Sequence, residues 1–292
     1  MGISWDELLE NLISEKTFNS QISTRGYYLN ELSYQDLIKK YGFHHSQSAA
    51  GFLSLDFFSK QSKTLRKKGL YLIRRGKGNF VILDENIFPH SYLRLNLDNS
   101  TKLKLDVDEF PELLDAFKAR QENAGLELLN AVNGYDKLVV ELFGEKEWRI
   151  GPRGIQGSCF PVFFKDKSGQ MKKIFDFDGR EDLDYSIWTK DHILAIEAKS
   201  LPENHGLDIG WHKIVYPTFR FSQYSNYKIK PVYFLKWGKI IHVFVFPTIS
   251  FHEKGILLND KQTFEPDKIF KIETGLGKTG YYQEYQNLLS ES

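Results

Sequence analysis

The chain has 292 residues, a formal net charge of +1 at pH 7 and an aromatic content of 15%. This length is enough for one large domain or two ordinary ones, and the near-zero charge argues against a purely electrostatic binder. The single cysteine, Cys159, excludes an internal disulfide and any zinc site built from a cysteine cluster. Because no signal peptide and no run of 18 apolar residues is present, we expect a cytoplasmic protein without a membrane span.

Helices are predicted to occupy the N-terminal segment. Ser4 and Glu7 form a capping box in front of an apolar stripe at helical spacing. A second helix is predicted after Ser33, and a third over residues 45–58. The chain therefore begins with three predicted helices.

A β-hairpin is predicted to follow these helices. Two apolar runs, residues 70–73 and 80–83, flank the turn residues 76–79, whose sequence is Gly-Lys-Gly-Asn. Three helices followed by a hairpin with a basic tip resemble a winged helix-turn-helix domain. We place this domain at residues 1–95 and a second domain at residues 96–292.

The hairpin lies within a basic run. Between residues 60 and 77 the chain has eight basic side chains and no acidic one: Lys60, Lys63, Arg66, Lys67, Lys68, Arg74, Arg75 and Lys77. Such a run is either a solvated surface or a surface that binds DNA phosphates. The neighbouring hairpin favours DNA binding, and the side chains expected to contact DNA are Lys67, Lys68, Arg74, Arg75 and Lys77.

The rest of the chain predicts a long helix and then a β-rich region. Alternating residues 93–108 predict strands, and residues 110–133 predict a helix that ends at Gly134. Further strands are predicted over residues 160–164, 173–177, 183–188, 193–198, 231–237 and 239–246. A helical segment over residues 211–224, bent by Pro217, separates the last two from the others.

Two charged residues stand at the end of a predicted buried strand. Glu197 and Lys199 are two positions apart, so they share a face of that strand. A two- or four-residue turn before the strand places Asp184 directly opposite Glu197, whereas a three-residue turn shifts the register by one. The simplest alternative for this trio is a salt bridge at an exposed sheet edge.

Two adjacent carboxylates repel each other, and a divalent cation between them removes that conflict. Hard oxygen ligands suit Mg²⁺, and a lysine beside it can polarise a phosphoryl oxygen or help to activate water. The expected metal ligands are the carboxylates of Asp184 and Glu197. This set predicts hydrolysis of a phosphodiester.

The segment from Asp184 to Lys199, with Glu197-Ala198-Lys199 as its E-x-K, resembles the PD-(D/E)xK nucleases, the restriction-endonuclease-like superfamily. Leu183 stands where the family often has proline, and Asp182 is an alternative first acid. The resemblance implies that the carbonyl of Ala198 helps the two carboxylates to hold the metal. It implies a further carboxylate from the preceding helix, for which Glu122 is preferred and Glu127 is the alternative. It also implies an α/β fold in which helices flank a mixed central sheet.

The expected function is therefore that of a Mg²⁺-dependent endonuclease. We expect a type II restriction enzyme that cuts double-stranded DNA as a homodimer, with Asp184, Glu197, Lys199 and Glu122 as catalytic residues. A structure-specific or repair nuclease, and a regulator that only binds DNA, are the alternatives.

Other polar segments carry weaker expectations. His205, His212 and Lys213 follow the E-x-K strand and either contact phosphate or are simple polar surface. Residues 153–158 predict a polar glycine loop beside the sheet. The segment 275–280, Gly-Leu-Gly-Lys-Thr-Gly, lacks the spacing of a phosphate-binding loop.

Overall fold

The computed structural model describes residues 5–29, 40, 61–89, 92–104, 122–201, 208–237, 240–259 and 265–273. Apart from Lys40, the predicted helix after Ser33 lies outside these ranges, as do the predicted helix over residues 45–58, His205 and the segment 275–280. No helix in the described ranges is long and apolar enough to cross a membrane.

The N-terminal elements form a small layer of helices on a sheet. They are α1 (Trp5–Ser14), α2 (Lys16–Ile22), β1 (Tyr27–Leu29), α3 (Lys63–Lys67), β2 (Leu70–Gly76) and β3 (Asn79–Asp84). The sheet has the order β1-β3-β2, and the predicted helix after Ser4 and the predicted hairpin are confirmed. Lys77 and Gly78 both have positive φ, 48° and 73°, as a tight two-residue hairpin turn requires.

Within the described ranges, the remaining strands form three further sheets, and helices lie between some of them along the chain. They are β4 (Tyr92–Arg94), β5 (Thr101–Leu103), α4 (Glu122–Ala131), α5 (Gly134–Phe143), β6 (Arg149–Ile150), β7 (Gly154–Lys165), β8 (Met171–Leu183), β9 (Tyr185–Trp188), β10 (His192–Leu201), β11 (Asp208–Gly210), α6 (Trp211–Val215), a 3₁₀ helix (Tyr216–Phe221), β12 (Lys228–Trp237), β13 (Ile240–Val245), β14 (Ile256–Leu257) and β15 (Lys268–Glu273). Strands β14, β7 and β8 form a ribbon-like sheet, and β4 pairs with β11.

The central sheet has seven strands among the described residues, in the order β5-β15-β13-β12-β10-β9-β6. Strand β10 is parallel to β12 and antiparallel to β9, so the sheet is mixed. The predicted α/β class with a mixed sheet is confirmed. The finer assignments, a restriction-endonuclease-like core and a winged-helix domain, stay predictions.

Both faces of β10 are covered, which explains its apolar sequence. Leu194, Ile196 and Ala198 pack in one cluster with buried residues of α4 and α5. Ile193 and Ala195 point to the other face, where they pack in a second cluster with residues of β8 and the 3₁₀ helix. Because side chains alternate along a strand, Glu197 and Lys199 lie on this second face.

The hairpin of β2 and β3 packs against the ribbon sheet. Buried side chains on one of its faces, such as Tyr71 and Val81, share a cluster with Phe160 and Phe177 of the ribbon. A side-chain carbon on Gly76 would lie 2.1 Å from the carbonyl oxygen of Asp178, so glycine is needed for this close approach. One hydrophobic core therefore spans the predicted boundary near residue 95, and the division at that boundary stays a prediction.

Three local predictions are wrong. Gly134 does not end the helical region; Asn133 has a φ of 53°, and Gly134 opens a second helix, α5. Residues 153–158 do not form a loop, because residues 154–158 pair along their whole length with β8, and this pairing overrides the weak strand propensity of glycine. The helical segment 211–224 is shorter than predicted: α6 is followed by a 3₁₀ helix that contains Pro217 and ends at Phe221.

Candidate active site

Asp184 lies at the junction between two strands, after the last residue of β8 and before the first residue of β9. Strand β9 pairs with β10 so that Tyr185 lies opposite Ile196, which sets Asp184 opposite Glu197. This is the predicted register. The carboxylate of Asp184 accepts a hydrogen bond from the backbone N–H of Ala198, with 2.7 Å between Oδ2 and N. The predicted first acid is therefore held against the E-x-K strand.

Glu197 and Lys199 form a close pair on β10. The Nζ atom of Lys199 lies 3.1 Å from Oε1 of Glu197, and the side chains are 12% and 7% exposed. An exposed salt bridge at a sheet edge therefore does not describe this pair. Across the parallel ladder Glu197 is level with Tyr233, which is fully buried. Glu197 and Lys199 therefore lie on a covered face of the sheet and not at its edge.

Burial raises the pKa of Glu197 from its ordinary value of 4.5 to about 8. Loss of hydration is the largest cause, and the Asp184 carboxylate adds to it, while the cations of Lys199 and Lys213 oppose it. A pKa above the ordinary value favours the protonated form of the Glu197 carboxyl group at neutral pH. An added cation would compete with that proton.

Two of the predicted oxygen ligands, the Asp184 carboxylate and the Ala198 carbonyl, lie on the same side of β10. In an extended strand the N–H and C=O of one residue point to the same side, so the carbonyl of Ala198 faces the side on which Asp184 binds its N–H. No group of three or more His, Cys, Asp or Glu side chains suited to a metal occurs within the described part of the chain. Two carboxylates and one carbonyl fit Mg²⁺, which retains several waters and takes few protein ligands.

The two candidate helix acids, Glu122 and Glu127, both lie on α4. Glu122 is the first residue of α4, and the buried side chains of α4 pack on the face of the sheet opposite Glu197. Its own side chain lies outside the described residues. Glu127 is exposed on the same helix, and Asp182 is exposed on β8. The participation of Glu122 stays a prediction.

A second buried acid near the site was missed by sequence reasoning. Glu181, on β8, binds Arg220 of the 3₁₀ helix, and their side chains are 1% and 4% exposed. The alternation of side chains along β8 could have indicated that Glu181 is buried, because Phe177, Glu181 and Leu183 lie on the same, buried face of the strand. Its partner is 39 positions away in sequence, so no local pattern indicates the pair.

The predicted DNA-binding side chains divide into two groups. Lys67 and Lys68, at the end of α3, are exposed. Arg75 is partly buried with its guanidinium 4.6 Å from the ring centre of Tyr28, and Lys77 pairs with Asp178 at 2.5 Å. Arg74 is also partly buried. The helical half of the basic run is therefore more open to a ligand than the hairpin half.

Two further predicted residues lie on α6, which packs against β10. His212 is buried between the rings of Tyr92 and Tyr216, so the prediction that it is simple polar surface is wrong. Lys213 is partly exposed, and its charge acts on Glu197.

The chain matches no protein-family model, no curated protein and no solved structure.

Proposed function

We propose that this chain is a Mg²⁺-dependent DNA endonuclease, of the type II restriction kind that cuts specific duplex DNA as a homodimer. The observation that carries the proposal is the placement of Asp184 against Ala198, opposite the buried pair of Glu197 and Lys199. Two carboxylates can hold a divalent cation, and a lysine beside them can stabilise the charge that develops during phosphodiester hydrolysis.

The carboxylates of Asp184 and Glu197 and the carbonyl of Ala198 would hold the cation. When bound, Mg²⁺ supplies positive charge that polarises the phosphoryl group and favours ionisation of water. Asp184 contributes a carboxylate that the Ala198 amide already orients. Glu197 contributes its carboxylate after it gives up the proton that burial retains.

Lys199 would act as a fixed cation beside the scissile phosphate. Its ammonium group donates hydrogen bonds to a non-bridging phosphate oxygen or to the attacking water and so orients the two reactants. The water oxygen attacks phosphorus and loses a proton to solvent, while the bond from phosphorus to the leaving oxygen breaks and that oxygen takes a proton from solvent. An ammonium ion cannot accept that proton, so the role assigned to Lys199 is orientation and charge stabilisation.

The exposed cations of α3 would contact the DNA backbone. Lys67 and Lys68 follow one another at the end of this helix, next to exposed Arg66, and the run contains no acid. Contacts of this kind neutralise phosphates and give affinity without sequence preference. Two equivalent sites in a homodimer would account for cutting both strands.

Incubation with mixed plasmid DNA tests the proposal. With Mg²⁺ or Mn²⁺ the purified protein should produce double-strand ends that share one sequence context when sequenced. Ca²⁺ should support binding without cutting, because it accepts looser geometry at the same oxygen ligands. Asp184→Asn should be inactive in the same assay. Undiminished cutting in excess EDTA, or by Asp184→Asn, would contradict the proposal.

A further inference from the structure

The position of Asp184 depends on a junction between two sheets. Strand β8 belongs to the ribbon sheet and β9 to the central sheet, and Asp184 is the residue between them. The chain bends at this residue. A carboxylate at a bend depends on what anchors the chain on either side of it.

The anchor before Asp184 is the buried pair of Glu181 and Arg220. Arg220 donates from Nη2 to Oε2 of Glu181 at 2.7 Å and from Nε to Oε1 at 3.3 Å. Its Nη2 also donates to the carbonyl of Gly154 at 2.8 Å, and the hydroxyl of Ser158 donates to Oε1 of Glu181 at 2.9 Å. One guanidinium thus binds β7 and β8 of the ribbon at the end nearest the junction.

Packing acts at the same place as these hydrogen bonds. Gly154 lies opposite Leu183 in the ribbon, and Leu183 immediately precedes Asp184. The side chain of Leu183 is buried in one cluster with Phe221, the neighbour of Arg220. The 3₁₀ helix therefore holds the end of β8 through two consecutive residues, one by an ion pair and one by apolar contact.

The chain is also anchored after Asp184. The hydroxyl of Ser186 donates to the carbonyl of Pro152 at 2.6 Å, and the N–H of Gly151 donates to the carbonyl of Ser186 at 3.0 Å. These bonds fix β9 to the segment that leads into β7. Asp184 therefore lies between two fixed points, one of which depends on Arg220.

We infer that Glu181 and Arg220 are positioning residues that hold the Asp184 carboxylate against the amide of Ala198. A guanidinium binds a carboxylate through two parallel bonds, so it restrains direction as well as distance. Apolar residues of similar volume commonly replace a buried ion pair without loss of stability. The directional restraint is what such a replacement would lose. The consequence for cutting rests on the proposed function, whereas the placement of Asp184 does not.

Hydrogen exchange at the Ala198 amide tests the inference without metal or DNA. In the double variant Glu181→Met with Arg220→Met, exchange at Ala198 should be about tenfold faster than in the wild type, relative to Leu194 and Ile196 of the same strand. Should that variant fail to fold, Arg220→Lys provides the same comparison, because lysine keeps the positive charge but cannot make the bidentate contact of a guanidinium with the carboxylate.

Asn259→Ala is the matched control. The Asn259 side chain bonds both backbone groups of Lys165, at the opposite end of the ribbon, and the carbonyl of Pro89. Its loss should weaken the fold and leave exchange at Ala198 unchanged relative to the same reference amides. Wild-type protection of Ala198 in a folded Glu181/Arg220 variant would overturn the inference.

Activity adds a separate readout. If the wild type cuts DNA, the Arg220→Lys variant should need a higher Mg²⁺ concentration for half-maximal cutting, and Asn259→Ala should not. If the wild type cuts no DNA, the proposed function fails, and the exchange experiment still decides the placement of Asp184.

Discussion

Two buried glutamates of this protein, Glu181 and Glu197, each lie beside a cation, yet their surroundings differ. Glu181 receives two bonds from a guanidinium and one from a hydroxyl. Glu197 has one lysine at 3.1 Å and is opposed by a second carboxylate, Asp184. Burial raises the pKa of both, and a neighbouring carboxylate adds to the effect in each case, Asp182 for Glu181 and Asp184 for Glu197. Only Asp184 belongs to the candidate site, and Glu197 lacks the two guanidinium bonds that compensate the charge of Glu181.

The largest expected effect is on the rate of DNA cleavage at the site that contains Glu197. Lys199→Ala should lower the maximal cutting rate by about 10²–10³-fold, because one fixed cation at the phosphoryl group is removed. DNA affinity should hardly change. The measurement is single-turnover cleavage at saturating enzyme.

Lys230→Ala is a matched control for this substitution. Lys230 is also a sheet lysine, with its side chain 15% exposed, and it pairs with Asp267 at 2.5 Å. Its removal should leave the rate near that of the wild type. Equal rates for Lys199→Ala and the wild type would make Lys199 a structural ion-pair partner.

The second effect is on stability. Glu181→Gln leaves the Arg220 charge buried without its anion and should lower the free energy of unfolding by about 3–5 kcal/mol at pH 7. Glu197→Gln replaces a carboxyl group that is already neutral at that pH, so its effect should be much smaller. Chemical denaturation of both variants measures the difference. A larger loss for Glu197→Gln would reverse the comparison.

The third effect is the pH dependence of stability. Between about pH 4.5 and about pH 8 the unfolded chain loses the Glu197 proton while the folded protein retains it, so the free energy of unfolding falls as pH rises. Glu197→Gln removes this contribution, and its stability should fall less over that window. Denaturation at several pH values tests this, with Glu127→Gln, an exposed acid on α4, as the control. Parallel curves for the wild type and Glu197→Gln would contradict the pKa assignment.

The smallest effect concerns the basic run. Removing Lys67 and Lys68 together should reduce the slope of log affinity against log salt by about 1.8, since each phosphate contact contributes about 0.9. Lys77→Ala should reduce this slope by less than the value of about 0.9 expected for one phosphate contact, because Lys77 is already paired with Asp178. Salt titrations of DNA binding compare the two. An unchanged slope for the α3 variant would mean that this surface is only solvated.

The sequence predicted the part of the site that local pattern controls. Alternation along β10 and the short turn before it were enough to place Asp184 opposite Glu197. The pair of Glu181 and Arg220 and the docking of Gly76 on Asp178 depend on contacts between distant segments, for which local spacing gives no signal. Tyr135, Leu138 and Val139 have helical spacing, but a glycine commonly follows the end of a helix, so the sequence predicts an end at Gly134 where the structure has the start of α5. Residues 154–158 likewise form a strand because they pair with β8, although their glycine content disfavours a strand.

A calorimetric titration with Mn²⁺ or Mg²⁺ tests the central claim, that Asp184 and Glu197 hold a divalent cation. At pH 7, below the pKa of about 8 for Glu197, binding should release about one proton per ion, detected as a dependence of the heat on the buffer. Asp184→Asn and Glu197→Gln should each abolish this binding, while Glu127→Gln should not. Binding by Asp184→Asn equal to that of the wild type, or no binding by the wild type, would contradict the account.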